Sequence, residues 1–500
     1  MMTILRTYSP RILLRPWVLA ILGLACLAIG DALADSDSRL QTLSVGPLEV
    51  TPSLEAGAAT YSLRNAMFGN GSTSRTSERR GGRTWYEGYV KPGLDLDLGN
   101  LETGKLYARI SAIGAATRGD GDAQANSTTS TQPEHTGLEE AFIGWRSQNA
   151  LGDWPQDAVD VSIGNQGFMV GDGFLIAKGT LPGGERAAYV LGPRNSFEKT
   201  AILRLNTEPV RADFFHLEGT VNQKLMFAGD NPDTKLYGAN VEWFQSANQD
   251  EGRTSYDQRK WYIGATGIKV YDADRNFSFA GGQGGAGASA NRDGLEVMSL
   301  RFGGAFIPGL DDLAFYGEAA REHNGNGANG GTVRADAWYL QPQYSFSALP
   351  WAPMATVRYA HFSGDANTND RTDRSWDPLF SDAGPRGGTT WTQGLIYSQY
   401  VGANTNLNSI YAGAEASPIA DELKLGVAYY HMDFDQLPAG ARSHHLMDEL
   451  DLYAEWETPL DGLTVAPGLA AGWAGDGQVQ ATGAPDRTIW LGQIVLQYKL

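Results

Sequence analysis

The sequence predicts an all-β protein, a closed antiparallel transmembrane β-barrel of 16–18 strands, with eighteen the count that its connections give. Three observations carry this expectation. Apolar and polar residues alternate with period two through segments of ~9–13 residues. Short connections alternate with long ones along the chain. Composition is rich in Gly (62 of 500 residues) and in aromatics (13 Trp, 21 Tyr, 18 Phe), and charged residues are only 19%.

The alternation is explicit. Leu94, Leu96 and Leu98 fall on one side of a strand, with Asp95 and Asp97 on the other. Leu450, Leu452, Ala454 and Trp456 oppose Glu449, Asp451, Tyr453, Glu455 and Glu457. Leu423, Leu425, Val427 and Tyr429 oppose Lys424, Gly426, Ala428 and Tyr430, and Ala355, Val357 and Tyr359 oppose Thr356 and Arg358. Strands of globular proteins run nearer ~5–6 residues, whereas a strand tilted across a bilayer needs ~9–11.

Long polar loops are expected near 64–83, 116–137, 166–196, 220–234, 272–293, 322–334, 364–406, 434–446 and 474–487. Nine loops join eighteen strands through eight turns at the opposite rim. Turns are read at Gly99-Asn100, 207–209, 307–312, 349–352, 417–422 and 458–463, with 246–258 longer than the pattern wants. Closure would remove the edge strands that otherwise template aggregation. The last strand is amphipathic, with Trp490, Ile494, Leu496, Tyr498 and Leu500 in alternation, the kind of segment that barrel-assembly machinery reads.

Residues 1–34 read as a secretory leader: Arg6, Arg11 and Arg15 precede an apolar run from Trp17 to Ile29, and Ala32-Leu33-Ala34 suits cleavage before Asp35. Lipidation at Cys26, the one cysteine, is disfavoured by Gly23 and by the apolar run continuing through Leu27-Ala28-Ile29. Removing the leader takes away three Arg and Asp31, so the net charge passes from −18 to −20 over a single expected domain, 35–500. That balance argues against nucleic-acid binding. The expected surroundings are the lipid bilayer and lipopolysaccharide of a Gram-negative cell outer membrane, with barrel-assembly machinery and periplasmic polymer-handling proteins as partners.

Alternation also nominates charges facing a water-filled lumen, since burying rows of unpaired charge in a dry interior costs several kcal/mol each. The candidates are Asp95, Asp97, Arg109, Arg146, Arg211, Asp213, Arg301, Arg358, Glu415, Lys424, Glu449, Asp451, Glu455 and Glu457. The alternative for each is an ordinary pair that stiffens the wall.

Residues 161–204 contain Gly164-Asn165-Gln166, then Gly171-Asp172-Gly173-Phe174-Leu175-Ile176, then Phe197. Together with Glu140 to Arg146, Asp377-Pro378-Leu379-Phe380 and Glu449-Leu450-Asp451-Leu452, this resembles the alginate-export family of outer-membrane barrels over roughly 138–500. The resemblance implies a channel for a polyanion. It places Asn165 where many members carry Arg, the residue that would attract uronate carboxylates. The Gly-rich loop 166–196 is expected to fold into the lumen and narrow it, with Asp172, Arg186 and Arg194 as candidate constriction residues.

Catalysis is not expected. The seven histidines show no His-Glu-x-x-His spacing, no Gly-x-Ser-x-Gly elbow is present, and neither a cofactor nor a metal site is expected from chain spacing. Calcium or magnesium on Asp-rich outer loops is left open. The functional expectation is passive passage of an anionic saccharide or related small solute. The alternatives are a nutrient-uptake porin for small organic acids or sugars, and a secreted soluble all-β protein acting on polysaccharide.

Overall fold

The computed structural model describes residues 41–69, 82–101, 103–120, 132–179, 186–220, 233–246, 259–273, 292–325, 331–367, 369–381, 393–420 and 422–500. The leader and the turn at 246–258 lie outside the described residues, apart from Ser246.

Among these residues the chain forms β1 (Leu43–Val45), β2 (Leu48–Arg64), β3 (Gly82–Leu101), β4 (Gly104–Gly119), β5 (Glu134–Arg146), β6 (Val159–Gln166) and β7 (Phe197–Asn206). There follow β8 (Val210–Thr220), β9 (Asp233–Ser246), β10 (Arg259–Ala273), β11 (Glu296–Gly304), β12 (Leu313–Asn324), β13 (Thr332–Ser345) and β14 (Met354–Phe362). After β15 (Thr372–Asp373) come β16 (Leu407–Ile419), β17 (Leu423–Phe434), β18 (His445–Glu457), β19 (Leu463–Ala474) and β20 (Ile489–Lys499). The short β1 and β15 are additions, and the other eighteen strands build the wall.

Each wall strand pairs antiparallel with its neighbours, and β2 pairs with β20 from Glu55↔Lys499 to Arg64↔Trp490. The first wall strand therefore joins the last, and the sheet has no open edge. In lipid this matters because no water is present to satisfy an unpaired backbone N–H or C=O.

Side chains obey the expected inversion. Met298, Leu300, Val357, Leu425, Leu452 and Leu469 are exposed on the outer face. Their neighbours Ser299, Arg301, Thr356, Arg358 and Asp451 are buried inside. Two belts of exposed outward aromatics bracket this apolar band. Tyr237, Tyr271, Trp338, Tyr359 and Tyr429 lie toward the loop end, and Trp243, Tyr344, Phe346 and Trp456 toward the turn end. Amphipathic rings at the two water interfaces are the signature of a membrane-spanning barrel.

The expected loops match the observed connections, with two differences at the turn end. Gly99 and Asn100 belong to β3, which runs on to Leu101, and β4 starts at Gly104. A further turn at 147–158, carrying Asn149, Gly152-Asp153 and Pro155, joins β5 to β6 and is not among the turns read from the sequence.

The outward placement of the apolar stripe is open to test. Leu300→Arg, at the middle of β11 facing lipid, is expected to cost about 2–4 kcal/mol of folding free energy in vesicles. Denaturant titration measures this, and a cost near zero would contradict the orientation.

Candidate functional site

The candidate lumen charges fall into two groups by depth. Toward the turn end they form cross-strand pairs along a polar wall. Arg109 on β4 bridges Asp95 on β3 and Glu140 on β5, each at 2.7 Å. Asp97 meets Lys105 at 3.0 Å. Arg146 meets Asp160 at 3.0 Å, with its guanidinium 4.1 Å above the Tyr107 ring. Arg211 and Arg204 approach Asp213 at 3.3 and 3.7 Å. Lys424 lies 3.7 Å from Glu455, Glu415 accepts a hydrogen bond from the Tyr453 hydroxyl at 2.6 Å, and Glu457 accepts one from Thr464. Half-exposed pairs of this kind contribute little to stability singly; they line the lumen with fixed charges of both signs.

Toward the loop end the lumen is occupied. The described residues of loop 167–196 and of loop 363–406 turn inward, and both loops are anchored by carboxyl groups of the wall. Glu87 on β3 accepts the backbone N–H groups of Val190 and Leu191 at 3.0 and 2.8 Å. Glu139 on β5 accepts those of Asn195 and Ser196 at 2.8 and 3.2 Å. On β18, four strands round the wall from β3, Glu449 accepts the N–H groups of Ile396 and Tyr397 at 2.6 and 2.9 Å, and Asp451 accepts that of Leu395 at 3.1 Å. Each of these bonds gives a buried loop N–H an acceptor on the wall.

The two loops then meet. Phe380 accepts hydrogen bonds at its carbonyl from Ala177 and Lys178 at 2.8 and 3.2 Å, and donates its own N–H to Leu175 at 3.1 Å. Phe174 packs against Trp376 and Phe362 with ring centroids 6.2 and 5.9 Å apart, and Phe197 against Phe380 at 5.2 Å. A third connection joins in through Arg292, whose guanidinium grips Asp377 with Nε 2.7 Å from Oδ2. These residues share one buried apolar cluster with side chains from both sides of the barrel, including Tyr61, Trp85, Tyr339 and Met447.

The candidate constriction residues Asp172, Arg186 and Arg194 are buried. Asp172 is buried and accepts the Tyr339 hydroxyl at 2.5 Å. Next to it Gly171 holds a φ of +62°, which favours glycine, and a Cβ there would sit 3.1 Å from the Arg301 side chain. Arg186 lies 4.0 Å from Glu198, and Arg194 lies 4.0 Å from Glu139. Burial, and at Arg186 also the neighbouring Arg194 guanidinium, pulls both below the ordinary arginine pKa. Arg301 is buried with Glu242 at 3.3 Å and donates to Thr266 at 2.6 Å. Arg358 is buried, donates to Gln393 at 3.3 Å and lies 5.1 Å from the Tyr411 ring centroid.

Two expectations change. Glu449 and Asp451 hold loop backbone and do not form a free acidic ladder with Glu455. Asn165 pairs in register with Ala141, on the side that also carries exposed Ile163, so strand alternation turns it away from the lumen. The anchoring roles of Glu87 and Glu139 were not readable from the chain, because their partners lie 103 or 104 and 56 or 57 residues away.

Below the loops, toward the turn end, the inner wall of β12–β17 encloses a cavity of about 430 Å³. Its lining combines Arg358 and Lys424 with Gln341, Gln343, Tyr411 and Glu415.

Replacing both Glu449 and Asp451 by Ala is expected to release residues 395–397 from the wall, at about 1–3 kcal/mol for each buried N–H left without an acceptor. Single-channel recording should then show larger conductance than the unaltered barrel. Unchanged conductance would contradict the anchoring role.

Residues 195–443 match the protein-family model for alginate export. That range takes in Asp377 to Phe380 and begins near the end of the inward loop, after Gly164 to Ile176. A search of the curated proteins finds no match. Among solved structures the barrel is similar to three Pseudomonas aeruginosa channels. For OccK2 (OpdF) the TM-score is 0.53 at 10% identity, covering 90% of this chain and 97% of that one. OpdO gives 0.52 at 11% identity, covering 90% and 97%, and OpdK with vanillate gives 0.50 at 11% identity, covering 90% and 98%. At such identities the likeness speaks for the fold. Taken with the closed wall and the narrowed lumen, the matched family establishes that this chain carries an alginate export family domain and is an outer-membrane β-barrel channel.

Proposed function

We propose that the channel passes a small anionic, hydroxyl-bearing solute, of the uronate saccharide type, by diffusion down its gradient and without chemical change. The observation that carries this reading is the cavity of about 430 Å³ beneath the two inward loops. Arg358 and Lys424 supply positive charge there, while amides and hydroxyls of Gln341, Gln343, Thr356 and Tyr411 offer partners for sugar oxygens. A guanidinium recognises a carboxylate with two parallel hydrogen bonds, which gives geometric selection as well as attraction. Arg186 and Arg194 add two cations on the loop itself, and Arg194 leaves Nε and Nη2 without a hydrogen-bond partner among the described residues.

The second reading is uptake of small carboxylates. It is favoured by the likeness to the Occ channels, one of which was solved with vanillate. A cavity of this size accommodates one sugar-sized or ring-sized acid at a time, so both readings share the same wall. The outer membrane is the setting for either, with the short turns at the periplasmic side.

Planar-bilayer recording tests the proposal. Uronate oligomers are expected to interrupt the current, and Arg358→Gln is expected to weaken that block about tenfold, the loss of one charge-assisted contact. Block by simple monocarboxylates alone would favour the second reading. No block by uronates added from either side would remove the first.

A further inference from the structure

On the outer face of the barrel at its loop end, His431 on β17 and His445 and Asp448 on β18 converge. His431 Nδ1 lies 2.8 Å from Asp448 Oδ1, and His445 Nε2 lies 3.1 Å from Asp448 Oδ2. The two imidazoles are stacked, with centroids 4.9 Å apart and 29° between planes. One ligand atom from each residue can be chosen so that all three lie within 4.8 Å of one another.

We propose that these three side chains form a site for a divalent transition cation of the zinc class. Two imidazoles and one carboxylate are the donor set that such a borderline ion prefers. Calcium and magnesium want six or more oxygen ligands, which this cluster does not offer. Zinc bonds of ~2.0–2.2 Å place tetrahedral ligand atoms about 3.4 Å apart, a spacing that atoms already within 4.8 Å of one another reach by small side-chain rotations.

A second observation points the same way. The other ring nitrogen of His431, Nε2, faces Asp433 Oδ2 at 3.5 Å. Metal-bound histidines commonly direct their second nitrogen at a carboxylate, which fixes the ring and its tautomer. Asp448 is also steadied, by the Tyr429 hydroxyl at 2.7 Å. Tyr429 belongs to the outer aromatic belt, so the site sits just beyond the apolar band, within reach of water. Three protein ligands leave the fourth position open, for water or for an anionic oxygen from the surrounding lipid. The ion would tie β17 to β18 at the rim, next to the short helix Asp476–Thr482.

The test uses the full barrel, purified in detergent and stripped with chelator, titrated calorimetrically with Zn²⁺, with Co²⁺ absorption reporting coordination geometry. One equivalent of Zn²⁺ and a tetrahedral Co²⁺ spectrum are expected. His445→Ala and Asp448→Asn should each weaken binding by about 100-fold, and Asp433→Asn, which acts through the His431 ring, by about tenfold. His361→Ala, at an outward histidine that faces Asp336 at 3.5 Å on other strands, should leave binding unchanged and serves as the control. Heat-modified electrophoretic mobility confirms that each variant is folded. No stoichiometric Zn²⁺ binding by the unaltered barrel, equal affinity in His445→Ala, or loss of binding in His361→Ala would each overturn the proposal.

Discussion

The pairing of β2 with β20 is the constraint from which the rest follows. A sheet that must satisfy every backbone group without water has to close on itself. Once it closes, each strand has one face toward lipid and one toward the lumen, and period-two alternation assigns every side chain to one or the other. The apolar stripes of β11, β17 and β18 then have no choice but to face outward, and the ionised ones surround the passage. An aqueous channel is the ordinary outcome for sixteen to eighteen strands.

This barrel does not leave that channel uniformly wet. Its turn end is a polar wall in which charges of both signs pair across strands. Its loop end is packed by two loops that share an apolar cluster, with Phe174, Trp376 and Phe380 at their contact. Loop backbone brought inside a barrel carries N–H groups that need acceptors. The wall supplies them as carboxyl side chains: Glu87 and Glu139 for one loop, Glu449 and Asp451 for the other. Acidic residues that look like a selectivity ladder in the sequence are therefore hinge pins for the constriction. In the proposed function selectivity rests instead on Arg358 and Lys424, which line the cavity, and on Arg186 and Arg194 of one inward loop.

Most of the fold was legible because alternation is local: Leu94 to Leu98 and Leu450 to Trp456 declare their faces within a few residues. The loops were legible from composition and length, and inward folding of 166–196 was suggested by its glycines. What was not legible depends on contacts across the barrel. Loop 363–406 shows no sequence sign of turning inward, because its anchors on β18 lie 52 to 56 residues further along. Asn165 was assigned from a family pattern, but the strand's own register turns it outward. His431 and His445 sit 14 positions apart in the chain and meet only through the pairing of β17 with β18, so spacing alone could not associate them.

The polarity of the wall is the claim that everything else assumes, and the chain lends itself to a direct reading of it, since its one cysteine, Cys26, lies in the predicted leader. Single cysteines at Leu94, Asp95, Leu96 and Asp97 of β3, in barrels folded into lipid vesicles, can be challenged with a charged thiol reagent that does not enter bilayers. The account expects labelling at 95 and 97 and protection at 94 and 96. Equal labelling at all four positions, or protection at 95 and 97, would contradict it.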